Sequence, residues 1–146
     1  MYKELKERHQ AETNEFPFMF AFSNAQFDEG MRKLGLKPTD TDKIYSLHGT
    51  GGFYRRTDAP RLHEMFDRHE RERQEAIAND TTGDGYIFEM FNYELSNHEY
   101  VITCSTADTL DALDLTIEEV NANPRLLHGL KRAIEAQREW ARNNNY

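Results

Sequence analysis

Glu94, Asn97, His98 and Glu99 are the densest cluster of chemically capable side chains in the sequence. On a helix, Glu94 and His98 share one face, four positions apart, and so bring a carboxylate and an imidazole within reach for general acid–base work. His63 and Asp67 repeat the spacing, so a divalent ion could draw on both pairs. No two histidines are spaced His-x-x-x-His, however, and one helix cannot supply the imidazole pair of an ordinary zinc site. His98 is therefore read as a hydrogen-bonding residue at a helix–strand junction, and no metal or cofactor is expected.

Three other features invite a chemical reading. His48-Gly49-Thr50-Gly51-Gly52 has the glycine content of an oxyanion or phosphate loop, whose backbone N–H groups stabilise negative charge. Such a loop follows a buried strand, opens a helix and usually brings a Lys, whereas this run joins two strand-like segments and reads as a hairpin connection. Cys104, the single cysteine, needs a base or a helix N-terminus beside it to become reactive, and reads as a buried strand residue. Arg55 and Arg56 could grip a phosphate or carboxylate, or equally balance acids elsewhere. There is no Gly-x-Ser-x-Gly, so a hydrolase triad has no anchor.

The elements that must position these residues follow from pattern. Residues 2 to 15 are helix formers with few apolar contacts, and Pro17 stops them. Phe18-Met19-Phe20-Ala21-Phe22 is a continuous apolar run, expected to be a buried strand. Ser23 and Gln26 make a capping box for a helix carrying Phe27, Met31 and Leu34, which Gly35 ends. Lys43 to Leu47 and Phe53 to Arg56 form the hairpin. Thr57 or Asp58 caps a helix with Leu62, Met65, Phe66, His69, Ala76 and Ile77 on one face. Tyr86 to Asn97 reads as helix, and the β-branched segment Tyr100 to Cys104 as the last strand. Thr106 or Asp108 opens a short helix, Thr116 to Glu119 is a second capping box, and Pro124 starts an amphipathic helix carrying Leu126, Leu127, Leu130, Ala133, Ile134 and Trp140. These elements predict an α+β fold, a small, mainly antiparallel sheet of about four strands with about five or six helices, in one domain over residues 1–146.

Composition bounds the rest. At 146 residues, with 38% hydrophobic and 12% aromatic content, the chain has material for one core. A lone cysteine suits a reducing compartment, the charged start (Lys3, Glu4, Lys6, Glu7, Arg8) is unlike a signal peptide, and no apolar run is long enough for a membrane span, so a cytoplasmic location is expected. The formal net charge of −8 is unevenly spread. From Gln74 to Pro124 there is no Lys or Arg against 11 acids, while the remainder carries 15 acids and all 18 basic residues. A general nucleic-acid binder needs the opposite balance, so direct binding to nucleic acid is not expected.

Phe16 to Leu36, Asp42 to Asp58 and Phe91 to Thr103 resemble a family of small uncharacterised proteins of bacteriophages and mobile elements. The resemblance covers most of the chain but brings no assigned catalytic or binding residue. It implies an accessory protein, of the kind that includes inhibitors of host defence such as anti-CRISPR proteins. With the charge segregation, the expectation is a protein that binds the basic surface of a host nuclease through Asp108, Asp111, Asp114, Glu118 and Glu119, which interrupt apolar positions in short capped helices. The alternatives are a small enzyme or ligand-binding domain using His98 with Glu94 or Glu99, and a structural or oligomerisation protein.

Overall fold

The computed structural model describes every residue from Met1 to Tyr146. The helices are α1 (Tyr2–Glu15), α2 (Asn24–Lys33), α3 (Ala59–Asn79), α4 (Tyr86–Asn97), α5 (Tyr100–Thr103), α6 (Ala107–Ala112), α7 (Ile117–Ala122) and α8 (Pro124–Asn143). The strands are β1 (Met19–Phe20), β2 (Ile44–Leu47) and β3 (Gly52–Arg55). Backbone contacts divide the chain into two compact units, one of Arg8–Arg71 and one of Met1–Glu7 with Glu72–Tyr146.

In the Arg8–Arg71 unit, the strands form an antiparallel sheet in the order β1-β3-β2. The hairpin register sets Ile44 opposite Arg55 and Leu47 opposite Gly52, and β1 adds Met19 opposite Phe53. Met19, Met31, Leu34 and Ile44 make one buried cluster and Phe16, Tyr54, Ala59 and Leu62 another. The Ser23 hydroxyl accepts from the Gln26 N–H at 3.2 Å, and Gln26 Oε1 reaches past the capping residue to the Phe22 N–H at 2.8 Å. Gly35, at φ +76, ends the α2 segment. A residue with a Cβ pays a steric penalty in this left-handed region.

The Met1–Glu7 and Glu72–Tyr146 unit is built around α4. Its buried residues come in adjacent pairs every four positions (Tyr86 and Ile87, Met90 and Phe91, Glu94 and Leu95), which places them along one broad face of the helix. Against it pack Leu126, Leu130 and Ala133 of α8, with Leu110, Val120 and Tyr100 from the short helices. Ile87, Phe91 and Leu95 are fully buried, and each contributes about 2–3 kcal/mol of transfer free energy. Asn123 caps α8 by accepting the Arg125 N–H at 3.1 Å, with Pro124 in the first turn, where no N–H is needed.

The sheet has three strands where four were expected, and there are eight α-helices, more than the five or six expected. Tyr100 to Cys104 accounts for the missing strand. Glu99 and Cys104 are both left-handed, at φ 58 and 55, and the residues between them make a helical turn that buries Tyr100 and leaves Ile102 exposed. The intrinsic β preference of Val101, Ile102 and Thr103 is realised only with a strand to pair with, and here tertiary burial of Tyr100 prevails. Cys104 accordingly lies exposed at the end of α5, not in a buried strand. The Phe18 to Phe22 run is only partly a buried strand, since only Met19 and Phe20 pair, with Phe20 57% and Phe22 78% exposed.

Candidate functional site

The first candidate cluster is brought together, but around residues from the far end of the chain. Glu94 is 1% exposed. Its Oε1 accepts the Tyr2 hydroxyl at 2.9 Å and the Lys6 ammonium at 2.5 Å, and its Oε2 lies 3.4 Å from His98 Nε2, which meets no hydrogen-bond geometry. Lys6 also stands over the Tyr93 ring at 5.0 Å. Burial, and then the bond to the Glu94 carboxylate, push the Tyr2 phenol above its ordinary value. Through Oε1 the carboxylate fixes the start of α1 to α4. Glu99 does not join it, being exposed at the left-handed start of α5. The partners Tyr2 and Lys6 leave only a weak local signal in the sequence, a Tyr and a Lys on one face of an otherwise polar helix.

A second cluster that sequence reading missed lies in the Arg8–Arg71 unit. The rings of His9 and His69 stack with centroids 3.9 Å apart, and both residues are buried. Arg68 holds the Glu12 carboxylate through both terminal nitrogens, one at 3.1 Å, and His69 Nε2 lies 3.5 Å from it. The Arg68 hydrogen bonds hold the Glu12 carboxyl down at about 2. The rings are near-parallel, tilted by 16°.

The loop before α4 has a spacing that suggests a cation site. Asp80, Thr82, Asp84, Gly85 and Ile87 between two helices follow the outline of a calcium-binding loop, but the twelfth position, where a bidentate Glu closes such a site, is the buried Phe91. Asp80 instead accepts the N–H groups of Thr82, Gly83, Gly85 and Ile87 at 2.8–3.2 Å. Burial raises the Asp80 carboxyl, and these backbone bonds outweigh it and leave the group below its ordinary value. Arg125 Nη1 donates to the Asp80 carbonyl at 2.5 Å and to the Ile77 carbonyl at 2.8 Å, which ties the start of α8 to this loop. Asp84 pairs with His128 at 2.8 Å.

Nine of the 11 acids in the acidic segment fall into two groups, Glu75 and Glu99 being exposed elsewhere in it. Asp80, Asp84, Glu89 and Glu94 are each bonded to backbone N–H, to a cationic side chain, or to the N-terminal amine, which lies 3.4 Å from Glu89. The five residues singled out for partner binding behave differently. Asp108 and Asp111 on α6, Asp114 in the following turn, and Glu118 and Glu119 on α7 are all exposed, and none makes an ion pair. Thr116 accepts the Glu119 N–H at 3.1 Å and its hydroxyl meets Glu119 Oε1 at 3.1 Å, the capping box expected from the sequence. Asp108, Glu118 and Glu119 occupy first turns, where the helix dipole favours an anion. Asp111 and Asp114 sit at the carbonyl end of α6, where it does not. The Met1–Glu7 and Glu72–Tyr146 unit holds sixteen acids against eight Lys and Arg, and so the whole net charge of −8, while the Arg8–Arg71 unit has ten of each.

Fold and surface together define a small α+β protein in which five exposed carboxylates on and beside two short helices make no ion pair. Residues 1–136 match a family of unknown function, DUF7659, and the chain belongs to that family. No curated protein matches the chain. No solved structure matches it. No helix is long and apolar enough to cross a membrane.

Proposed function

We propose that the protein works by binding another protein, presenting Asp108, Asp111, Asp114, Glu118 and Glu119 to a basic, nucleic-acid-binding surface, and so acting as an inhibitor of a host defence nuclease. The observation that carries this reading is that all five carboxylates are exposed and without ion pairs, while the acids from Asp80 to Glu94 are internally bonded. Asp111 at the carbonyl end of α6 opposes the helix dipole, so its placement is not accounted for by helix stability, whereas Asp114 takes the left-handed φ of 54 that ends the helix. Ile102 and Ile117, 66% and 43% exposed on the flanking helices, add apolar area of the sort that a protein interface desolvates. Unpaired carboxylates accelerate encounter with a positive channel and mimic the phosphates it normally holds.

The test is affinity capture from bacterial lysate with the wild-type protein and with the triple reversal Asp108→Lys, Asp111→Lys, Glu118→Lys. The expected partner is a basic nuclease that added duplex DNA or raised salt displaces from the wild type, and that the reversal does not capture. Equal capture by both proteins, insensitive to DNA, would remove the basis of this reading.

A further inference from the structure

β1 is an edge of the sheet, and its outer side is built for one kind of contact. In an antiparallel ladder, alternate residues turn their N–H and C=O to the neighbour. Ala21 donates to the Gly51 carbonyl at 3.0 Å, so Met19 and Ala21 face β3 and the amide and carbonyl of Phe20 face away from it. On that outer side the Phe18 N–H is taken by the Phe16 carbonyl and the Phe22 N–H by Gln26 Oε1, which leaves the edge open at Phe20 alone.

Strand alternation puts Phe18, Phe20 and Phe22 on one face. Phe22 is 78% and Phe20 57% exposed. Beside them on that face is a depression of about 260 Å³ between Phe16, Phe18, Leu47, Thr50 and Phe66, and no charged residue lines it, in a chain that is 30% charged. The same face thus carries both a projecting ring and a hollow that takes one.

We propose that this face is the interface of a homodimer, in which β1 of one copy adds antiparallel to β1 of a second about a two-fold axis through the two Phe20 residues. The Phe20 amides and carbonyls then satisfy each other, Phe22 of each copy lies opposite Phe18 of the other, and each Phe22 ring enters the uncharged depression. A two-fold interface requires that one surface serve as both donor and acceptor, which a knob and a hollow on one strand provide. The unit that carries this face has a formal charge of zero, ten acids against ten Lys and Arg.

Sedimentation equilibrium from micromolar to millimolar protein tests this. The wild type is expected to approach twice 17.2 kDa. Phe22→Ser removes a ring that a single copy leaves in solvent, so it should keep the fold and weaken dimerisation by about tenfold or more. Phe20→Lys should give a monomer, and Ile117→Ser, in the other unit, should leave the dimer intact. Far-UV circular dichroism follows the fold of each variant. A wild-type monomer at every concentration overturns the proposal, and the face then belongs to a different protein. A dimer whose strength is unchanged in Phe22→Ser overturns it as well.

Discussion

The Tyr2 hydroxyl donates to the Glu94 carboxylate at 2.9 Å, across 92 residues of sequence and inside the core of its unit. Lys6 completes the same carboxylate oxygen from one turn further along α1. A buried carboxylate is tolerated only when its lone pairs are met, so these two bonds decide whether Glu94 holds the N-terminal helix or disrupts the core. Tyr2→Phe is expected to cost about 1.5–3 kcal/mol, the net worth of a buried hydrogen bond to a charged group. Glu94→Ala, which leaves the hydroxyl and the ammonium without an acceptor and opens a cavity, should cost about 3–4 kcal/mol. Lys6 is 43% exposed and its charge is partly screened, so Lys6→Met should cost less than either. Urea denaturation of the three variants checks the order; a Glu94→Ala protein as stable as wild type would show that the carboxylate holds nothing.

Acid stability should depend on Glu12. Arg68 depresses the Glu12 carboxyl from 4.5 to about 2 in the folded protein. A depressed carboxyl binds fewer protons folded than unfolded, so its contribution is complete above pH 4.5 and disappears as the pH falls towards 2. Glu12→Gln should therefore lower stability at neutral pH and flatten the fall in melting temperature across that window. An acid limb of unchanged slope in Glu12→Gln would contradict the assignment.

Gly35 and Gly83 both have positive φ, at +76 and +89, yet they should respond differently to alanine. A Cβ on Gly35 meets nothing within 4 Å, so Gly35→Ala carries only the backbone penalty of about 1 kcal/mol. On Gly83 it falls 2.4 Å from the Arg125 carbonyl oxygen, a backbone atom that cannot swing aside. Gly83→Ala should lose about 3 kcal/mol or more, because it parts the Asp80 loop from α8. Thermal melts of the two variants, compared with wild type, test the difference directly.

The acidic face should be energetically idle in the isolated protein. Asp108, Asp111 and Glu118 make no ion pair, so reversing all three to Lys is expected to move the folding free energy by no more than about 1 kcal/mol in total. Two of the changes sit in helix first turns and oppose the dipole, while the Asp111 change supports it, so the effects partly cancel. A melting temperature close to wild type, with loss of capture of the basic partner, separates binding from folding. A large destabilisation would mean that these carboxylates serve the fold.

Two capping boxes, the hairpin and the start of α8 are legible from neighbouring residues alone. Ser23 and Thr116 cap their helices because a hydroxyl three residues before a free N–H needs no distant help. The hairpin over Ile44–Leu47 and Gly52–Arg55 follows from its glycine turn, and Pro124 opens α8 through its own fixed φ. The α4 segment was legible as helix, yet Glu94 and His98 gave no sign that the carboxylate is sealed. The two donors to its Oε1 lie 88 and 92 positions away, a separation that no local pattern encodes. Tyr100 to Cys104 was misread because β-branched residues report a preference for a pleated, paired environment, and no strand lies beside them.

By itself the sequence determined the starts of α2, α7 and α8, the Gly35 stop, the hairpin and the absence of Lys and Arg between Gln74 and Pro124, because each depends on neighbouring residues or on composition alone. Tertiary structure alone decided which acids are neutralised. Asp80, Asp84, Glu89 and Glu94 meet backbone N–H groups, His128, the N-terminal amine and Lys6 only once distant segments pack, and the five carboxylates from Asp108 to Glu119 meet no cation at all. Tertiary structure likewise decided that Phe20 and Phe22 remain in solvent, since a two-residue edge strand has a neighbour on one side only. Hydrophobicity can mark a residue for burial, but the number of surfaces that pack around it settles whether burial is achieved.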